Sequence, residues 1–212
     1  LAGLSSDQVN SLSSDEVASL GTNQVASLTT AQVKGLTAND MTALGTAQVG
    51  VLNSAQIQAL NTDQLSAIDA SDMKALTTGA LRALSNAQID GLTSDQLRAL
   101  TTAQVNSLTT AQIHGLSTDE LNELTTDQFA KLATGQVQAL SGSQLSHLTT
   151  DSLNALGTGQ FAVLNSTQFG ALTTDQLSKM ETADLRAVTT GALSALSSDQ
   201  INRLSTDEVA NL

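Results

Sequence analysis

Few side chains in this 212-residue chain could do chemistry: two histidines, His114 and His147, twenty Asp and Glu, and abundant Ser. With no Cys, disulfides and thiolate metal sites are excluded. A nucleophilic relay needs Ser, His and a carboxylate to converge, and a transition-metal site needs clustered ligands. The two histidines stand 33 residues apart with no His or Cys between them, so neither arrangement is expected. Asp7, Asp63, Asp95, Asp127, Asp175 and Asp199 share one column of a repeat and would form a carboxylate ladder for Ca²⁺ if their helices stacked on one edge. Their place in the first turn of a helix accounts for them without a ligand. Ca²⁺ is therefore not expected, and no catalytic, cofactor-binding or metal residue is assigned. The chain reads as a structural protein and not an enzyme.

The elements behind this pattern follow from a strict period. Leu4, Leu12, Leu20 and Leu28 stand eight apart, and the series runs to Leu204 and Leu212 with no insertion or deletion, which makes 26 octads. Only Ile68, Met180 and Val188 replace Leu. With the Leu as position 1, position 6 is apolar throughout, from Val9 to Phe169, Leu177 and Val209. These two columns are the expected core, represented by Leu4 and Val9, Leu28 and Val33, Leu100 and Val105, Leu108 and Ile113, and Leu172 and Leu177.

Position 2 is drawn almost wholly from Ser, Thr, Gly, Asn and Asp, and position 5 is Gln or Glu in 20 octads. That spacing is a capping box, in which each side chain satisfies a backbone N–H at a helix start. The pairs Thr29 and Gln32, Thr101 and Gln104, and Thr173 and Gln176 are examples. Positions 1 and 6 then fall where a hydrophobic staple places its two partners. Charge agrees. Eighteen of the 20 acidic residues lie at positions 2 to 5, Asp90 and Glu123 being the exceptions, and all eight cations lie at positions 7 or 8, as a helix dipole restarting every octad favours.

One continuous helix would rotate its Leu stripe by about 80° per octad. In a strand, positions 1 and 6 would face opposite ways, although a β-solenoid with a turn between them remains an alternative. The expected fold is all-α, a solenoid of 26 stacked octads, each one short capped helix over positions 3 to 8. A helix of about six residues is too short to stand alone, so stability must come from neighbours. Position 8, mostly Ala, Ser or Gly, lets helices approach closely. Gln at position 5 could also make ladders along the stack, but the capping box already accounts for it. No column alternates with period two or three, so two or three octads per coil are both open. The octads from Ile68 and Leu76 resemble those from Met180 and Val188, which implies growth by copying. The chain reads as a single array over residues 1–212, a segment of something longer.

Net charge is −12, and the eight Lys and Arg are scattered. Nucleic acid is therefore not an expected partner, and no run of about 18 apolar residues predicts membrane insertion. Runs such as Leu100 to Leu116 (LTTAQVNSLTTAQIHGL) and Leu172 to Leu177 (LTTDQL) resemble the Leu-Thr-Thr-x-Gln-Val octad arrays of very large secreted or surface-exposed bacterial proteins, described as adhesin-like or hemagglutinin-like. That resemblance implies an extracellular or cell-surface location and a stalk or spacer role. The alternative is a binding surface for a glycan, a partner protein or another copy of the chain.

Overall fold

The computed structural model describes residues 3–210, so Leu212 of the Leu series lies outside the described residues. Among them are 26 helices of four to six residues, one per octad, and no strand. The helices begin at position 3 as expected. Many stop short of position 8, as Thr46–Val49 and Ser198–Ile201 do.

At corners such as Leu36–Thr37 the turn is made by two extended residues in succession. Leu36, at φ −61° and ψ 142°, ends one helix, and Thr37, at φ −82° and ψ 167°, caps the next. No described residue has positive φ. The chain therefore turns every eight residues without the left-handed backbone that would call for Gly, and Leu can occupy the bend itself.

The chain divides into two compact units, residues 1–108 and 109–212. In the first, helix Ser6–Asn10 packs on Thr30–Gly35, which packs on Ser54–Ala59, then Thr78–Ala83, then Thr102–Ser107. In the second, Thr110–Gly115 packs on Thr134–Ala139, then Thr158–Phe161, then Thr182–Ala187, then Thr206–Val209. Within each unit every helix thus packs on the third helix along, so three octads make one coil. This settles the choice between two and three that the sequence left open.

Positions 1 and 6 form the core. Val9, Val33, Val105, Ile113 and Leu177 are fully buried, and Leu28, Leu100, Leu108 and Leu172 nearly so. Phe129, Phe161 and Phe169 fill position 6 and are fully buried too. Leu4 corrects the expectation, being 39% exposed. Leu12 and Leu20 are also only partly covered, whereas Val9, Val17 and Val25 of the same coil are buried. At the other end Ile201 and Val209 of position 6 are exposed while Leu204 of position 1 is buried. Position 1 therefore packs toward the coil behind and position 6 toward the coil ahead. Leu4 lacks cover because no described coil lies behind it.

Candidate functional site: a buried glutamine column

The expected capping boxes form. The Thr29 N–H donates to Gln32 Oε1 at 2.8 Å and the Gln32 N–H to Thr29 Oγ1 at 3.2 Å. Thr101 with Gln104 (2.8 and 3.2 Å) and Thr173 with Gln176 (2.9 and 3.1 Å) repeat the pair. Where position 2 is Gly45, Gly157 or Ala133, its backbone N–H still donates to the Gln, so half the box survives.

The Gln amide does more than the sequence reading allowed. Gln104 Nε2 donates to the carbonyls of Met73 and Leu76, both at 2.8 Å. Gln176 Nε2 donates to Leu145 and Leu148 at 2.8 and 2.9 Å, and Gln32 Nε2 to Leu4 at 2.8 Å. The acceptors lie 31 and 28 residues back, at position 6 of one helix and at the Leu corner that follows it. The position-6 carbonyl also accepts the N–H of the corner residue, as Met73 does from Leu76 at 3.1 Å and Leu145 from Leu148 at 3.2 Å, so the Gln amide adds a second donor there and supplies one to the corner carbonyl that ends the same helix. One buried side chain thus caps the start of its own helix with its oxygen and the end of a helix in the coil behind with its nitrogen. The assignment of O and N is fixed by chemistry, since N–H groups face one end and carbonyls the other. What runs along the stack is a column of Gln-to-carbonyl bonds and not a ladder of side chain on side chain, and Gln32, Gln56, Gln96, Gln104, Gln168 and Gln176 are 1–3% exposed because they span coils.

A second, lighter set of bonds runs the other way. Position-7 side chains reach the position-8 carbonyl 25 residues ahead: Gln58 to Ala83, Asn122 to His147 and Asn154 to Lys179, at 2.8–2.9 Å. His114 Nδ1 joins them, 2.8 Å from the Ala139 carbonyl. His147 Nδ1 lies 2.8 Å from the carbonyl of Ser143 on its own helix. The histidines are therefore engaged with main-chain oxygen and sit in separate places.

Three octads per coil also sort the position-4 carboxylates. Asp7, Asp63 and Asp95 fall on three different sides of the first unit, whereas Asp127, Asp151, Asp175 and Asp199 recur once per coil in the second. Asp175 pairs with Lys179 at 3.5 Å and Asp95 with Arg98 at 3.9 Å, both well exposed, where such pairs contribute little. Among the described residues no three His, Asp or Glu gather as metal ligands do. A shallow depression beside Gln58, Leu60, Ala83, Ser85 and Gln88 holds no charged group.

Departures in the Gln column are informative. Asp40 keeps donors, accepting from the Thr37 N–H at 2.8 Å, the Thr37 hydroxyl at 2.7 Å and the Ser14 hydroxyl at 2.8 Å. Asp72 accepts from the Thr46 hydroxyl. Ser152 is bonded by the Thr149 hydroxyl at 2.9 Å, and Ala80 and Ala192 abandon the clasp altogether. Asp184 is pushed up to about 6 by burial and, second, by the Glu181 carboxylate. Glu16 is held below its usual value by hydrogen bonds from Ser13, backbone first and hydroxyl second.

Short capped helices, three to a coil and clasped coil to coil, define an α-solenoid repeat protein. The chain belongs to the ALTTAQ repeat family, whose model matches in overlapping stretches from residues 2–39 and 38–68 through to 150–180 and 177–212. Among solved structures it is similar to the leucine-rich repeat-containing protein LegL7 from Legionella pneumophila, at 10% identity over 92% of this chain and 77% of that one, with a TM-score of 0.26. A comparison with curated proteins found no match. No helix among the described residues is long and apolar enough to cross a membrane.

Proposed function

We propose that the array is a structural stalk or spacer in an exported bacterial surface protein of the adhesin-like kind, without catalytic activity of its own. What carries the reading is the sameness of the coil–coil junctions. Gln56, Gln64, Gln96 and Gln104 in the first unit, and Gln160, Gln168 and Gln176 in the second, make the same two bonds 28 and 31 residues back. A junction of this kind depends on backbone carbonyls and one amide, so coils can be added or removed without redesigning the next. That suits a part whose length is its property.

The test varies coil number. Chains with residues 52–75 deleted, or present twice, should change their maximum dimension in solution X-ray scattering by about 8–10 Å each, the usual distance between packed helices. A dimension that does not follow coil number would end the spacer reading. Saturable binding of a glycan or of a second copy, lost on changing one side of the coils only, would favour the binding-surface reading instead.

A further inference from the structure

In the second unit the Gln column is interrupted at Asp184. Gln160, Gln168 and Gln176 clasp Phe129 and Leu132, Val137 and Leu140, and Leu145 and Leu148. By the same register, the carbonyls of Leu153 and Leu156 are those that a Gln at this place would clasp. This side chain is 4% exposed, and it makes no hydrogen bond among the described residues. Its N-cap residue, Glu181, gives no side-chain cap either.

A buried carboxyl without the donors that Asp40 and Asp72 keep distinguishes this position from its relatives. A carboxylate offers no proton to a carbonyl, whereas a neutral carboxylic acid has one to donate. Asp40 and Asp72 escape the conflict because the hydroxyls of Ser14 and Thr46, 26 residues back, donate to them. The corresponding residue for Asp184 is Thr158, and no hydrogen bond joins the two. The charges nearby are few. Helix Thr158–Phe161, packed on that of Asp184, brings none, helix Thr150–Asn154, which carries Leu153, brings Asp151, and Thr206–Val209 brings Asp207, with Glu208 beyond the described side chains. The helix of Asp184 contributes Glu181 at its cap and Arg186 in its last turn, and Lys179 precedes it.

We propose that Asp184 is a proton-operated clasp: as a neutral acid it donates to a carbonyl of the coil behind, in place of the Gln amide, and as a carboxylate it leaves that junction open. The raised carboxyl, near 6, is what this environment should produce. The sign follows from linkage. A carboxyl whose folded value lies above its unfolded one, 3.8, binds protons more tightly when folded. The junction is therefore firm at low pH and loosens as pH rises through about 6.

Hydrogen exchange on the whole chain, corrected for intrinsic rates and read on peptides covering residues 150–187, tests this. The local opening constant should rise up to ~100-fold between pH 4 and pH 7, with its midpoint near 6. Asp184→Gln, which restores the amide, should be flat over that range and as protected as the acid form. In the unmodified chain, the ¹³C resonance of the Asp184 carboxyl should titrate near 6 as well. A carboxyl midpoint near 4, or the same pH dependence in Asp184→Gln as in the parent chain, overturns the proposal.

Discussion

Gln64 Nε2 lies 2.6 Å from the carbonyl oxygen of Leu36, 28 residues back in the chain, while its Oε1 accepts the Asn61 N–H at 2.9 Å. The amide therefore joins two helix ends that belong to different coils. A carboxylate in its place would keep the second bond and turn the first into repulsion. Gln104→Glu, at an equally buried site, should accordingly cost about 3 kcal/mol, the scale of one buried corner carbonyl left without its amide and a desolvated charge together. Gln24→Glu lies in the first coil, where the side chain is exposed and no described coil lies behind it, and should change stability by less than about 0.5 kcal/mol. Urea unfolding of the two variants checks the contrast, and equal losses would mean that the inter-coil bond adds nothing.

The capping role of this column was legible in the sequence because Thr29 and Gln32 stand three apart, a local spacing that any helix start obeys. The partner of Gln32 across the coil was not, since Leu4 offers only its backbone carbonyl and backbone acceptors leave no mark on residue type. For the same reason no column betrays three octads per coil. All three sides of a coil make the same Gln-to-carbonyl bonds, so nothing selects a different residue on one of them. The exposure of Leu4 was hidden too, because its octad carries the same letters as a buried one.

Glycines separate open helix surface from coil–coil contact. Gly135 has nothing within 4 Å of where a Cβ would stand, and it lies inside helix Thr134–Ala139. Gly135→Ala should stabilise by about 0.5–1 kcal/mol through helix propensity and a less flexible unfolded chain. At Gly170 a Cβ would lie 3.1 Å from the Ala195 carbonyl oxygen and 3.2 Å from its Cβ, one coil ahead. Gly170→Ala should lose that gain or turn it into a loss. Melting temperatures of the two variants, measured side by side, decide whether the coils approach as closely as the position-7 and position-8 residues indicate.

Ser13→Ala probes the capping box by charge. The Ser13 backbone N–H and hydroxyl both donate to Glu16 Oε2, at 2.8 and 2.9 Å, and hold the carboxyl below its usual range. A carboxyl lowered in the folded state adds stability above its unfolded value, 4.5, and that stability fades as pH falls through the lower folded value. Removing the hydroxyl leaves the backbone donor, so the Glu16 midpoint should move up part of the way toward 4.5. A carboxyl titration by NMR reads it, and an unmoved midpoint would assign the whole effect to the backbone N–H.

Deletions test the octad and the coil as separate units. Removing residues 52–75 takes out three octads and preserves both the capping register and the side each later octad occupies in the first unit. Removing residues 52–59 keeps the register but moves later octads to another side, so individual pairs are exchanged. Gly91, for instance, now leaves room for Thr62, whose methyl would lie 2.7 Å from a Cβ there, and would meet a different neighbour. Removing residues 52–55 destroys the register itself, placing Gln where Leu should turn the corner. The expected order of stability loss is one coil least, one octad slightly more, and four residues far more, the last exceeding the others by several kcal/mol because it buries polar groups without partners. Thermal unfolding followed by circular dichroism would rank them. If the single-octad deletion proved as damaging as the four-residue one, specific pairs between coils, and not the repeated Gln clasp, would be holding the stack together.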